Sequence, residues 1–264
     1  MNEGTRTLAQ NLAGSDDGPW ALFLDFDGTL VEIAERPDAV VVHPELGDAL
    51  TGLRRSLGGA LAIVTGRSIN VIDGFIAPHT FDVAGLHGVE YRLSGQLFPC
   101  RIEDHPDLRQ AIAALEQRFA EQPGVLIEDK GCSVALHWRL APEAEDEATH
   151  VLDEMVAGLG NAYRLQLGKA VGEVLPARAS KGRIIEHYLR EPPYRGRRAI
   201  FAGDDLTDEH AFEAVNRLGG ISIRVGAGPT QARYRVPTPA ALRQLLGAWA
   251  SDVGIRLDGL PLVA

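Results

Sequence analysis

The stretch Trp20-Ala21-Leu22-Phe23-Leu24-Asp25-Phe26-Asp27-Gly28-Thr29-Leu30 runs from an unbroken apolar segment directly into two carboxylates. Consecutive apolar residues without alternation are what a strand buried on both faces requires, and such strands belong to parallel sheets covered by helices. Alternate residues of an extended chain point the same way, so Asp25 and Asp27 can converge where the strand ends, and Gly28 lets the backbone turn away. Two acids at the carboxyl end of a strand suggest a metal and phosphate site.

Working outward, short aliphatic runs recur at residues 60–64, 199–202 and 221–225, and amphipathic helical patterns at 44–56, 68–76, 181–189, 208–217 and 240–250. Strands alternating with helices give an α/β class with a Rossmann-like parallel sheet. Ser180 and Thr207 are expected as helix N-caps. The middle of the chain differs: a helix at 107–121, strands at 125–128 and 133–138, a helix at 143–158, then strands at 163–167 and 171–175. Lys130-Gly131 and Gly168-Lys169 suit hairpin turns. Ser133, Ala135, His137 and Arg139 alternate with Val134, Leu136 and Trp138, as a sheet with one wet face demands. Residues 104–175 are therefore expected to form an inserted α+β domain, with 19–103 and 176–264 as the core and 1–18 as a loose tail.

The 264 residues carry a formal charge of −10 with no basic run, which argues against nucleic acid or an anionic membrane as partner. No apolar segment is long enough to span a bilayer. Cys100 and Cys132 are too few for a disulfide framework and sit in no zinc-ligand pattern, so both read as plain thiols in a reducing cytoplasm.

Four short motifs fall just past strands or at helix starts: Asp25-Phe-Asp-Gly-Thr-Leu, Thr65-Gly66-Arg67, Ser180-Lys181-Gly182, and Gly203-Asp204-Asp205-Leu-Thr-Asp208-Glu209. Loops at the carboxyl ends of parallel strands share one crevice, so the acids of the first and last motifs can meet there. Clustered carboxylates repel unless a hard cation sits among them, and Mg²⁺ suits oxygen donors plus substrate phosphate. In order and placement these motifs resemble those of the haloacid dehalogenase (HAD) superfamily of aspartyl-phosphate phosphatases. The resemblance implies that Asp25 is the nucleophile and Asp27 the general acid and base. It further implies that Thr65, Gly66 and Lys181 hold the phosphoryl group, with Arg67 beside it. Mg²⁺ would be bound by Asp25, by the main-chain carbonyl of Asp27 and by Asp204, with Asp208 behind them. Each motif alone has a bland reading, since Asp-Gly after a strand is commonly only a turn and a helix-start acid only a cap.

A narrower resemblance, covering about residues 20–249, is to the trehalose-6-phosphate phosphatases. It rests on Ala84-Gly-Leu-His87-Gly88-Val-Glu90, on Glu128-Asp-Lys130-Gly-Cys-Ser133-Val-Ala-Leu-His137-Trp-Arg139, and on Glu173-Val-Leu-Pro176. It implies that the inserted domain is a cap, that Glu128, Lys130 and Glu173 contact the sugars, and that His87 and Gly88 approach from the core side. It also implies functional coupling to a trehalose-phosphate synthase. Leu175 stands where that family usually has a basic residue, and Arg178 is the nearest candidate to replace it. The competing readings are a capped phosphatase for another sugar phosphate, such as sucrose phosphate or glucosylglycerol phosphate, and, in a different class, a phospho-Asp signalling module. The second acid Asp27 and the cap disfavour the module.

Overall fold

Residues 19–34, 36–101, 103, 105–251 and 261–263 are described in the computed structural model of the chain. The expected tail at 1–18 lies outside the described residues. The strands, in chain order, are β1 (Trp20–Leu24), β2 (Leu61–Val64), β3 (Asp82–Gly85), β4 (Glu90–Leu93), β5 (Gln96–Phe98), β6 (Leu126–Asp129), β7 (Val134–His137), β8 (Tyr163–Gly168), β9 (Val171–Pro176), β10 (Arg198–Gly203), β11 (Ile221–Val225) and β12 (Tyr234–Val236).

Eight strands form one sheet in the order β12-β11-β10-β1-β2-β3-β4-β5. The run from β12 to β3 is parallel, and β4 and β5 extend it antiparallel. The opening stretch sets this architecture because β1 has no wet face: Ala21 through Leu24 are all 0% exposed. Leu22 and Leu24 pack with Leu50, Leu53 and Ile72 of the helices Leu46–Ser56 and Ile69–Ile76. Ala21 and Phe23 face the other way, toward Tyr188, Tyr194 and Phe212. Burying a Leu or Phe side chain contributes about 1.5–3 kcal/mol, and truncating Phe23 to Ala would cost about 3–5 kcal/mol. From β1 the chain moves to β2 on one side and returns much later as β10 on the other, which opens a crevice at the carboxyl end of β1.

The middle of the chain builds a separate antiparallel sheet in the order β6-β7-β9-β8. Val134, Leu136 and Trp138 face the helices Pro106–Arg118 and Glu145–Leu159, packing with Leu108, Ile112, Leu152 and Val174. The alternate residues Ser133 and His137 carry hydrogen bonds on the other face, to Glu173 and Glu128. That face looks onto the carboxyl ends of the large sheet.

Two local readings change. Ser180 caps the helix Lys181–Tyr188, accepting from the Arg183 amide at 3.4 Å. Thr207, however, lies inside the short 3₁₀ turn Leu206–Asp208, and the cap is a reciprocal pair in which Asp205 and Asp208 each accept from the other's main chain. The turn starts at Leu206, so the N-cap position falls on Asp205, whose carboxylate accepts from the Asp208 amide while Asp208 reaches back to the Asp205 amide. Cys100 and Cys132 are not separate thiols: they are bonded, with Cα atoms 6.4 Å apart across a separation of 32 residues. The contact is tertiary, and spacing along the chain gave no sign of it. Among the described residues no helix is long and apolar enough to cross a membrane.

Candidate active site

Asp25 leaves β1 with its amide still in the ladder, donating to Ala202 O at 2.9 Å, so its carboxylate is fixed at the end of the strand. It is buried, and one oxygen accepts from Lys181 Nζ at 2.7 Å while the other accepts from Thr29 Oγ1 at 3.1 Å. Gly28 turns the chain with φ +74°, and a Cβ there would stand 2.2 Å from Asp204 Oδ2, so no side chain fits between the first and last motifs. Thr29 Oγ1 also lies 3.3 Å from Asp204 Oδ1.

Lys181, at the start of its helix, is buried between Asp25 and Asp208, at 2.7 Å from each. Burial would lower its pKa, but Asp208 and Asp25 together raise it far above the ordinary lysine range, so it remains a cation. Asp208 is fully buried; its other oxygen accepts from the amides of Asp204 and Asp205 at 2.9 and 3.0 Å. Asp208 thus positions both Lys181 and the Asp204 loop.

Asp25, Asp204 and Asp208 offer oxygens within 4.8 Å of one another. Burial pushes the Asp25 carboxyl well above the usual range, Lys181 opposing and Asp208 and Asp204 adding to it. Burial, then the charge of Asp208, pushes Asp204 up to about 7. Three buried carboxylates against one neighbouring ammonium leave unbalanced negative charge, and their hard oxygen donors fit a divalent cation. Asp27 stands apart from this cluster, since its carboxylate is held by Arg67 in a two-point pair at 2.6 and 2.8 Å.

Thr65 follows β2 and is buried; its Oγ1 accepts from the Arg67 amide at 3.1 Å. Arg67, expected among the substrate-binding residues, lines the cleft; its guanidinium engages Asp27 and lies 5.1 Å above the Phe75 ring. Gly66 has His87 against it, where a Cβ would meet Nε2 at 2.7 Å. His87 itself takes a left-handed conformation with φ +55° and turns its ring toward Glu173 and Gln166 of the smaller sheet. Gly88, with φ +92°, does not line the cleft; a Cβ there would meet Ile184 Cβ at 2.7 Å, so its task is close packing on the Lys181–Tyr188 helix.

Facing these residues, Glu173 on β9 is buried and accepts from Ser133 Oγ at 2.8 Å and Lys130 Nζ at 3.1 Å, with His87 Nε2 at 3.4 Å. Burial would raise its pKa, but Lys130 and His87 hold it far below the usual carboxylate range. Lys130 is 4.0 Å from Glu128 and 3.4 Å from the Gly66 carbonyl, so it touches both layers. Glu128 accepts from His137 Nε2 at 2.9 Å; burial would raise its pKa, but that bond together with the neighbouring charges of Lys130 and His137 lowers it.

Between the layers lies a cleft of about 230 Å³ lined by Asp25, Asp27, Thr65, Gly66, Arg67, His87, Glu128, Lys130, Glu173, Lys181 and Asp204, all singled out from sequence. Acid residues and a lysine at one end, and a hydrogen-bonding wall at the other, describe a site for a phosphate on a polyol. A trehalose-phosphatase family profile matches residues 23–240. The chain belongs to the trehalose-phosphatase family.

A probable trehalose-phosphate phosphatase from Sinorhizobium fredii is 45% identical over 234 residues, covering 88% of each chain. The trehalose-6-phosphate phosphatase of Escherichia coli is 41% identical over 218 residues, 82% of this chain and 81% of that one. Among solved structures, a trehalose-6-phosphate phosphatase related protein superposes with TM-score 0.75 at 27% identity, covering 88% of this chain and 97% of the other. Membership in this family makes the protein an α/β phosphatase of HAD fold and a phosphoric monoester hydrolase.

Some cleft residues went unread in the sequence. Gln166 lies opposite Glu173 in the β8–β9 register and 3.5 Å from His87 Nε2. The alternation of Arg164 and Gln166 with the core residues Tyr163 and Leu165 was a usable signal. Arg36 also lines the cleft, with no periodicity to mark it. Leu175, in place of the family's basic residue, is 0% exposed among Leu86, Val89 and Ala179; Arg178 is exposed and does not line the cleft. Arg164, directly across from Leu175, instead reaches the Ala179 carbonyl at 3.1 Å.

Proposed function

We propose that the protein hydrolyses trehalose 6-phosphate to trehalose and phosphate through a phospho-Asp25 intermediate, with Mg²⁺ at Asp25, Asp204 and the main-chain carbonyl of Asp27. The observation carrying this reading is the juxtaposition of the Lys181–Asp25 pair with the Glu173–Lys130–His87 wall across one cleft. Asp25 attacks phosphorus, forming an acyl phosphate as the bond to the sugar oxygen breaks. Asp27 delivers a proton to that oxygen, then takes one from the water that releases phosphate and restores Asp25. Mg²⁺, when bound, would neutralise phosphoryl oxygens. Lys181 and the Thr65–Gly66 segment would hold the same group in line.

The two-point Arg67 pair occupies both carboxylate oxygens of Asp27, so Arg67 has to loosen its hold before Asp27 can exchange a proton with the leaving oxygen or the attacking water. In this reading residues 104–175 act as a cap whose polar face reads sugar hydroxyls with Glu128, Lys130 and Glu173. A cleft of about 230 Å³ is below the ~300–1,000 Å³ usual for ligand pockets, so a disaccharide phosphate would require the cap to lift. Substrate would come from a glycosyl-transfer enzyme, a trehalose-phosphate synthase, acting in the cytoplasm.

Phosphate release with Mg²⁺ from a panel of disaccharide and monosaccharide phosphates tests the reading. Release from trehalose 6-phosphate well ahead of the rest is expected; preference for sucrose phosphate or a hexose phosphate overturns the substrate assignment.

A further inference from the structure

The Cys100–Cys132 pair lies outside the chemistry above and joins the two layers. Cys100 follows β5, the last strand of the large sheet, and Cys132 lies in the turn between β6 and β7. Cys132 is 1% exposed and packs with Leu86 and Val89 of the core and Leu175 of the cap sheet; Cys100 is partly exposed at the edge of the same cluster. His105 Nε2 is 3.7 Å from Cys100 Sγ, and its Nδ1 is paired with the Tyr163 hydroxyl. The second ring nitrogen is thereby occupied and the first is directed at sulfur, so the imidazole can take the proton of a Cys100 thiol.

The turn that holds Cys132 also carries the sugar wall. Lys130 N donates to Ser133 O at 3.0 Å to close it, and the side chains of both residues converge on Glu173. A bond at Cys132 therefore constrains Lys130 and Ser133 relative to the large sheet.

We propose that Cys100, Cys132 and His105 form a reversible thiol–disulfide site that clamps the Lys130–Ser133 turn to the core and governs admission of the sugar phosphate. The proposal rests on the substrate reading above. Cys100, the accessible sulfur, attacks as thiolate on a small disulfide of the glutathione class, expelling one thiol and forming a mixed disulfide. Cys132 then loses its proton and attacks Cys100 Sγ, expelling the second thiol. Two protein thiols and one external disulfide become one protein disulfide and two external thiols, and a dithiol drives the reverse. In the oxidised state the cleft resists widening, so a disaccharide phosphate is turned over poorly; a small aryl phosphate, which needs no lifting of the cap, is not affected.

The test uses the full chain equilibrated with glutathione disulfide or with dithiothreitol. Alkylation with mass spectrometry is expected to find no free thiol in the first and two in the second, with the Cys100 and Cys132 peptides linked. Reduction should raise kcat/KM for trehalose 6-phosphate by about fivefold, the lower end of couplings between sites, with p-nitrophenyl phosphate hydrolysis unchanged. Cys100→Ser and Cys132→Ser should remove the redox response, and His105→Ala should slow disulfide formation. Two free thiols persisting in glutathione disulfide, or equal trehalose 6-phosphate kinetics in both states of the wild-type protein, overturns the proposal even if the variants fail to fold. One Zn²⁺ retained per reduced chain would overturn it in favour of a metal site on the same residues. Failure of the substrate reading is distinguishable, because it leaves the thiol count intact while trehalose 6-phosphate is inert in both states.

Discussion

Replacing Lys130 with Met keeps most of the apolar stem of the side chain and removes a largely buried ammonium that is 3.1 Å from Glu173, its side chain 12% exposed. The Glu173 carboxylate is then left with Ser133 and His87. Breaking a buried pair by deleting one partner costs about 3–5 kcal/mol, and because two partners remain, the lower end, about 3 kcal/mol, is expected. In a chain of this size that is a fall in Tm of roughly 6–12 °C. The loss should depend on pH in a definite direction. Burial holds the His87 pKa below its ordinary 6.5, Glu173 opposing and Lys181 and Lys130 adding to the depression. Removing Lys130 raises the His87 pKa, so the variant binds a proton in the folded state more readily than the wild type. The wild-type protein loses stability at this residue as pH falls below 6.5, whereas the variant loses less, so the deficit is smaller near pH 6 than near pH 8, where His87 is neutral in both. Urea unfolding at both pH values, with Glu173→Gln and the double variant completing a cycle, measures this. Activity should split: kcat/KM for trehalose 6-phosphate falls about 10–100-fold, the equivalent of one charge-assisted hydrogen bond, while p-nitrophenyl phosphate turnover stays near wild type. A stability loss under about 1 kcal/mol, or a deficit that grows toward pH 6, would refute the buried-pair account.

Asp27→Asn should leave Asp25 able to attack but remove the base for the second step, so ³²P label accumulates on Asp25; no trapped label with full activity would overturn the acid–base assignment. Mg²⁺ should raise Tm in a concentration-dependent manner, because it binds the folded acid cluster alone, and Asp204→Asn should abolish both that shift and the metal dependence of phosphate release. Leu175→Lys would restore the family's usual basic character at the cost of placing an ammonium in an apolar cluster where Leu175 is 0% exposed. The expected loss is several kcal/mol in urea unfolding; wild-type stability would mean that the lysine finds an outlet to water beside Arg164.

The acid-and-lysine end of the cleft was legible because its residues lie at the ends of strongly patterned elements. Asp25, Thr65 and Asp204 each follow a buried apolar strand, and Lys181 opens a helix capped by Ser180. The polar face of the smaller sheet was legible through period two: the same alternation that sends Val134, Leu136 and Trp138 to the helices sends His137 to the cleft and Ser133 onto Glu173. Gln166 obeys that rule on β8 and could have been found. The edge strand β5 could not, since two of its three residues are exposed and its pairing with β4 decides its conformation. Nor could Arg67's attachment to Asp27, 40 residues away, because the approach of β1 and β2 that joins them is non-local.

The sequence alone determined the scaffold and the place of the site: unbroken apolar strands force a two-sided parallel sheet, polar residues at their ends must then gather in one crevice, and the chemistry there was implied by the resemblance of the motifs to those of the HAD phosphatases. Only the tertiary structure decided the partners within that crevice. Asp208 braces Lys181, Arg67 grips Asp27, Gly88 packs on Ile184, and the two cysteines read as independent thiols are one covalent link between the layers. Periodicity reports which face a residue occupies, whereas partnership depends on how separate faces meet, and that is settled by packing between segments far apart in the chain.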